Sequence, residues 1–157
     1  MIVVVDASVL VKWYVAEDHT DKAEQLADSR FEIHAPELLL PEFGNILWKK
    51  CRNDDLDEDV AISALASLRS HPIILHSNVR LVEPAFVGAQ ETVQSVYDWI
   101  YLSLAISLDC KFVTADRKFY IGLRKTRFKE HALWVENIST LIYGKAAKSR
   151  SISSRLL

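Results

Sequence analysis

The sequence predicts an α/β domain built around a short parallel central sheet. Three observations carry that expectation. Ile2–Val5 is a continuous apolar, β-branched run, as a strand buried on both faces requires, and Lys111–Thr114 is a second run of the parallel-sheet kind. Such runs alternate along the chain with longer stretches of helical apolar spacing. Finally, 157 residues that are 50% hydrophobic and 25% charged have the size and balance of one domain that closes its own core.

The elements follow in order. Ile2–Val5 opens the chain as a buried strand and Asp6 ends it. Ser8 is placed to cap a helix through Val9–Val15. Asp18–Arg30 has helical spacing, with Ala23, Leu26 and Ala27 on one face, and Phe31–Ala35 reads as a second short strand. Pro36 and Pro41 bracket the start of a helix that continues through Glu42–Cys51, proline being tolerated in a first helical turn. The acidic stretch Asp54–Asp59 leads into a helix through Arg69, and Ile73–His76 and Val79–Val82 are both extended candidates. Pro84 opens a helix toward Val93. Tyr97–Leu108 repeats apolar residues at helical spacing and is followed by the strand Lys111–Thr114. A helix near Arg117–Lys125 and a strand at Leu133–Val135 finish a domain spanning 1–137. Residues 138–157 form a C-terminal extension, whose Ser/Lys/Arg-rich end, Lys145–Leu157, has the composition of a mobile tail. No internal repeat is present.

Composition excludes several classes. No segment reaches the roughly 18 consecutive apolar residues that span a bilayer. MIVVVDAS lacks a basic leader and meets Asp6 early, so it reads as a strand rather than a signal peptide, and a cytoplasmic protein is expected. Cys51 and Cys110 stand far apart in no metal-ligand spacing and read as reduced core thiols. The net charge of −2 hides an asymmetry: residues 1–110 carry 8 Lys+Arg against 18 Asp+Glu, whereas residues 111–157 carry 11 against 3. A basic end of this kind favours a polyanionic partner over simple charge balance within the chain.

Ligands of open parallel sheets collect at the carboxyl ends of the strands. Asp6 ends the first strand and Asp116 follows the strand Lys111–Ala115, each at the rim of an apolar core. Glu42 begins the helix PEFGNILWKK, three residues before Asn45 on the same face, and Asp98 begins the almost uncharged helix YDWIYLSLAISL. Each acid alone has an ordinary explanation as a cap or a helix-N-terminal anion. Four at element boundaries are harder to explain that way. Carboxylates without a His or Cys set select a hard, oxygen-loving cation, Mg²⁺ or Mn²⁺. Such an ion activates water and polarises a phosphoryl oxygen.

Taken together, MIVVVDASVLVKWY, PELLLPEFGNILWK, YDWIYLSLAISL and FVTADRKF resemble the PIN domain, specifically the VapC-type toxin ribonucleases. The resemblance covers about residues 1–136, with Asp6 and Ser8, Glu42 and Asn45, Asp98 after Tyr97, and Thr114-x-Asp116 each matching a family motif in the right order. It implies a three-layer α/β/α fold with an acidic pocket and one or two Mg²⁺ or Mn²⁺ ions. It also implies cleavage of single-stranded RNA, frequent homodimerisation, and inhibition by a small antitoxin protein. On this basis Asp6, Asp98 and Asp116 are the expected metal ligands, and Glu42 orients or deprotonates the attacking water. Ser8, Asn45 and Thr114 are expected to hold those carboxylates in place. Lys118 departs from the pattern, since many relatives carry another acid there, and this leaves the number of ions open.

The dense basic run after Asp116 contains Arg117, Lys118, Arg124, Lys125, Arg127 and Lys129. Arg117, Lys118 and Arg124 are the nearest candidates for RNA-backbone contacts, against the ordinary reading of a solvated helix face. Trp13, Tyr14, Trp48, Trp99, Tyr101 and Trp134 could supply stacking platforms, although their apolar contexts favour core or dimer interface. The alternative function is a non-catalytic PIN-like module that binds RNA or a partner, against which the intact acid set argues. A haloacid-dehalogenase-type phosphatase would need Asp-x-Asp where this chain has Asp6-Ala7-Ser8, and the acid pair of a receiver domain is missing.

Overall fold

A computed structural model describes residues 1–144. Five strands, β1 (Ile2–Val5), β2 (Glu32–Pro36), β3 (Ile74–His76), β4 (Lys111–Thr114) and β5 (Ala132–Trp134), form one parallel sheet in the order β3-β2-β1-β4-β5. The most apolar strand is the central one. Val4 pairs with His34 on one side and Phe112 on the other, and Val3, Val4 and Val5 are at most 1% exposed. A strand covered on both faces and both edges has no use for polar side chains.

The chain moves outward from β1 to β3, then returns to the other side of β1 for β4 and β5. This reversal opens a crevice beyond the carboxyl ends of β1 and β4.

The helices that accompany the sheet among the described residues are α1 (Ala7–Leu10), α2 (Thr20–Ala23), α3 (Leu39–Arg52), α4 (Glu58–Ser70), α5 (Val82–Thr92), α6 (Val96–Ser107) and α7 (Arg117–Leu123), followed by a short helical segment over 138–144. They flank it in the expected three-layer α/β/α arrangement. Helix α6 lies across β1, β2 and β4 with α5 packed against it, while α1, α3 and α4 pack on one another. Every residue of α6 from Trp99 to Ala105 is buried, which accounts for a helix whose one charge is Asp98. Ser95 caps it, its hydroxyl accepting from the Tyr97 amide at 3.1 Å. Among the described residues no helix is long and apolar enough to cross a membrane.

Several elements differ from the sequence expectation. Val79–Val82 is not a strand. A 3-10 turn occupies Asn78–Arg80 and α5 has begun by Val82. Ser77 accepts from the Val79 amide, Asn78 Oδ1 accepts from the Leu38 amide at 3.4 Å, and these local bonds turn the chain despite its β-branched residues. The helix expected through Val15 is α1 plus a 3-10 turn over Val11–Trp13, and its cap is Asp6 rather than Ser8. The Asp18–Arg30 helix shrinks to α2 and a 3-10 segment, Glu24–Ala27.

Cys51 and Cys110 are unpaired thiols at the half-buried margin of the core rather than inside it. Residues 138–144 are helical and Ile138 is wholly buried; the rest of the C-terminal extension, Lys145–Leu157, lies outside the described residues.

Candidate active site

The crevice is built from the ends of β1 and β4. Asp6, 6% exposed, leaves β1 and caps α1: its Oδ1 accepts from the Ser8 amide at 2.7 Å. Its Oδ2 accepts from the Thr114 hydroxyl at 2.6 Å. Thr114 is fully buried at the end of β4, and the same hydroxyl oxygen accepts from the Asp116 amide at 3.0 Å. The Ser8 hydroxyl in turn accepts from the Ala115 amide at 3.2 Å. Ser8 and Thr114 therefore stitch the two strand ends together and aim both aspartates. Asp116 caps α7, its Oδ1 accepting from the Phe119 amide at 2.8 Å. Both aspartates are caps, as the ordinary reading supposed. Capping uses one lone pair of an oxygen, however, so each carboxylate keeps acceptor capacity.

Two helices bring the remaining acids. Glu42 sits in the first turn of α3, where Oε2 accepts from the Tyr101 hydroxyl of α6 at 2.6 Å. Asp98 sits in the first turn of α6. Burial pushes its carboxyl up to about 7, and the charges of Asp6, Asp116 and Glu42 push the same way. Burial also raises Glu42, with Asp6 adding to it and the Tyr101 bond opposing. Asp6 is raised by burial against the bonds from Thr114 and Ser8. The four acids thus feel one another.

Among the described residues none of the four pairs with a Lys, Arg or His. A half-buried set of carboxylates without counter-charge is costly and calls for a cation. No three His, Cys, Asp or Glu side chains among the described residues stand close enough to cage an ion directly. The donors on offer are carboxylate oxygens alone, the ligand chemistry of a hard ion such as Mg²⁺, which keeps several of its waters and takes few protein ligands.

Other expected residues are distributed differently. Asn45 is exposed and its side chain makes no hydrogen bond among the described residues, so it is not gathered with Glu42. Arg117, Lys118 and Arg124 are exposed, and Arg117 and Arg124 line a groove beside the acids. Arg127 is committed elsewhere, forming a two-pronged pair with Glu91 at 3.1 and 2.9 Å. Trp99 and Tyr101 belong to the core, whereas Trp48 is 52% exposed. Tyr101 had a stronger signal than its aromaticity. It stands three residues after Asp98, which places both on one face of α6. A groove of about 850 Å³ between α5 and α6 contains none of the four acids.

The model of one family, the PIN domain, matches residues 3–121, and the chain belongs to the PIN domain family. It is 34% identical over 120 residues to Ribonuclease VapC3 of Pyrobaculum aerophilum, a match covering 75% of this chain and 92% of that protein. The crystal structure of PAE2754 from Pyrobaculum aerophilum superposes with a TM-score of 0.65 at 28% identity, covering 92% of this chain and 89% of that one. Mycobacterium tuberculosis VapC20, described as a sarcin–ricin loop cleaving toxin, shares the fold at a TM-score of 0.59 and 18% identity, over 76% of this chain and 93% of that one.

Proposed function

We propose that this chain is a Mg²⁺- or Mn²⁺-dependent endoribonuclease that cuts single-stranded or loop RNA, and that it is the toxin of a toxin–antitoxin pair. The observation that carries the reading is the set of four mutually repelling carboxylates, Asp6, Glu42, Asp98 and Asp116, gathered without a counter-charge at the switch point of the sheet. The relative named a ribonuclease supports the substrate class.

Asp6 and Asp98 would hold the ion, with Asp116 reaching it directly or through one of its waters. When bound, it supplies positive charge to the scissile phosphate and acidifies water. The protein's own contribution is positional. Thr114 and Ser8 fix both oxygens of Asp6, so the carboxylate does not swing on binding RNA. Tyr101 holds Glu42 Oε2 and leaves Oε1 to orient the attacking water and take its proton. The raised affinity of Glu42 for a proton makes it a better base than an exposed glutamate. Arg117, Lys118 and Arg124 would bind backbone phosphates, offsetting the acids' repulsion of RNA.

In the cell we place the chain in the cytoplasm, as a homodimer held by an antitoxin. The exposed apolar side chains Val79, Phe86 and Val87 offer surface for such contacts. The test is cleavage of labelled single-stranded and duplex RNA by purified protein in Mg²⁺, Mn²⁺ or EDTA, beside Asp6→Ala. Metal-dependent cutting of unpaired RNA that Asp6→Ala loses is the expected result. Cutting that survives EDTA contradicts the proposal.

A further inference from the structure

Next to the acids the surface opens into a groove of about 590 Å³ between α7 and the end of β5. It adjoins the acidic crevice through Ala115 and Arg117, the residues on either side of Asp116. Tyr120 and Trp134 line it, their rings 5.7 Å apart and tilted by 35°, with the His19 ring edge-on to Trp134 at 5.7 Å. Unlike Trp99 and Tyr101, which the core has absorbed, Tyr120 and Trp134 are partly exposed.

The charges lining the groove are not equivalent. Lys12 is held by Glu17 at 2.9 Å, and His19 faces Glu136 at 3.3 Å. Asp18 also contributes an acid. Arg117 and Arg124 have no acidic partner among the described residues. The groove therefore presents two aromatic rings beside two uncommitted guanidinium groups, the first of them next in sequence to Asp116. With acids and bases nearly balanced, a bare anion has little reason to settle there. An unpaired nucleotide does, because it brings a π-face for the rings and a phosphate for the arginines.

We infer that this groove is a nucleotide subsite. One unpaired base of an RNA strand stacks against Tyr120 and Trp134, Arg117 and Arg124 hold the neighbouring phosphates, and the adjoining phosphodiester is thereby laid over the acids. The inference rests on the ribonuclease reading and adds to it a physical source of preference for unpaired RNA. A base inside a duplex is already stacked and has no face to offer. Because every base has a π-face, the subsite selects for lack of pairing and not for sequence.

The test is RNA binding by the full chain in Mg²⁺, in a Glu42→Gln background to suppress cutting, with thermal melting as the control for folding. The ligands are a short single-stranded RNA, the same RNA with one abasic position moved along it, and a duplex. Trp134→Leu and Tyr120→Leu are each expected to weaken single-stranded binding about tenfold and to leave duplex binding unchanged. Trp134→Phe should restore it, and one abasic position should cost the parent a similar factor while costing Trp134→Leu nothing. Should Trp134→Leu fail to fold, Tyr120→Leu and the abasic scan on the parent carry the test. Folded variants that bind like the parent, or an abasic scan without position dependence, overturn the subsite alone. A parent that binds neither RNA overturns the subsite together with the ribonuclease reading.

Discussion

At the scale of single residues, the site depends on hydroxyl groups as much as on acids. Thr114, itself with no exposure to solvent, donates to Asp6 and accepts from the Asp116 amide. Thr114→Val keeps the shape and removes both bonds. We expect denaturant unfolding to show a loss of about 1.5–3 kcal/mol, the usual cost of a hydrogen bond to a charged group. Tyr101→Phe removes the hydrogen bond to Glu42, the one influence that lowers this residue's proton affinity. The acid limb of the pH–rate profile should therefore move to higher pH, with the alkaline side unchanged. Asp6 and Asp116 were legible in the sequence because a carboxylate directly after an apolar strand is unusual. Their capping was open to the same reading, but their aim was not legible, since the Thr114–Asp6 bond joins residues far apart along the chain. Asn45 shows the converse limit: helical spacing puts it near the Glu42 face, but its exposure is decided by tertiary packing.

At the scale of elements, legibility followed burial. The strands β1 and β4 and the helix α6 are buried on most sides, so their sequences carry long apolar runs that leave few readings. The segment from Asp18 to Arg30 lies at the margin, and its helical spacing was satisfied by two short turns. Val79–Val82 has strand composition, yet Val79 is 83% exposed on a turn held by side-chain bonds. The joint between α5 and α6 gives an element-scale prediction. A Cβ at Gly88 would collide with the Trp99 ring, which is pinned by its Nε1–H donating to Thr92 Oγ1 at 2.7 Å. Gly88→Ala must push α5 off α6, and we expect about 1–3 kcal/mol of destabilisation in urea with altered tryptophan fluorescence. Unchanged stability would mean that the two helices slide freely.

At the scale of the molecule, the fold spends stability on its site. Burial and the neighbouring acids raise Asp98 from the ordinary carboxylate range to about 7, and Asp6 and Glu42 are raised too, so the metal-free folded state binds protons that the unfolded chain has released. Stability in EDTA should therefore fall as pH rises from about 4 to about 7. Asp98→Asn should flatten that fall, and Mg²⁺ should raise the melting temperature most at the upper end of the window, where the carboxylates are charged. A melting temperature in EDTA that climbs across the window would contradict this.

The central claim is that these four carboxylates together form a metal-dependent ribonuclease site, and single-turnover cleavage of single-stranded RNA by wild type, Asp6→Asn, Glu42→Gln, Asp98→Asn and Asp116→Asn, in Mg²⁺ and in EDTA, tests it most directly. We predict that every variant folds and loses at least about a hundredfold in Mg²⁺-dependent rate, as removal of a general base or an electrostatic anchor does. Wild-type cutting that persists in EDTA, or a folded Asp98→Asn that cuts at the parental rate, would contradict the account.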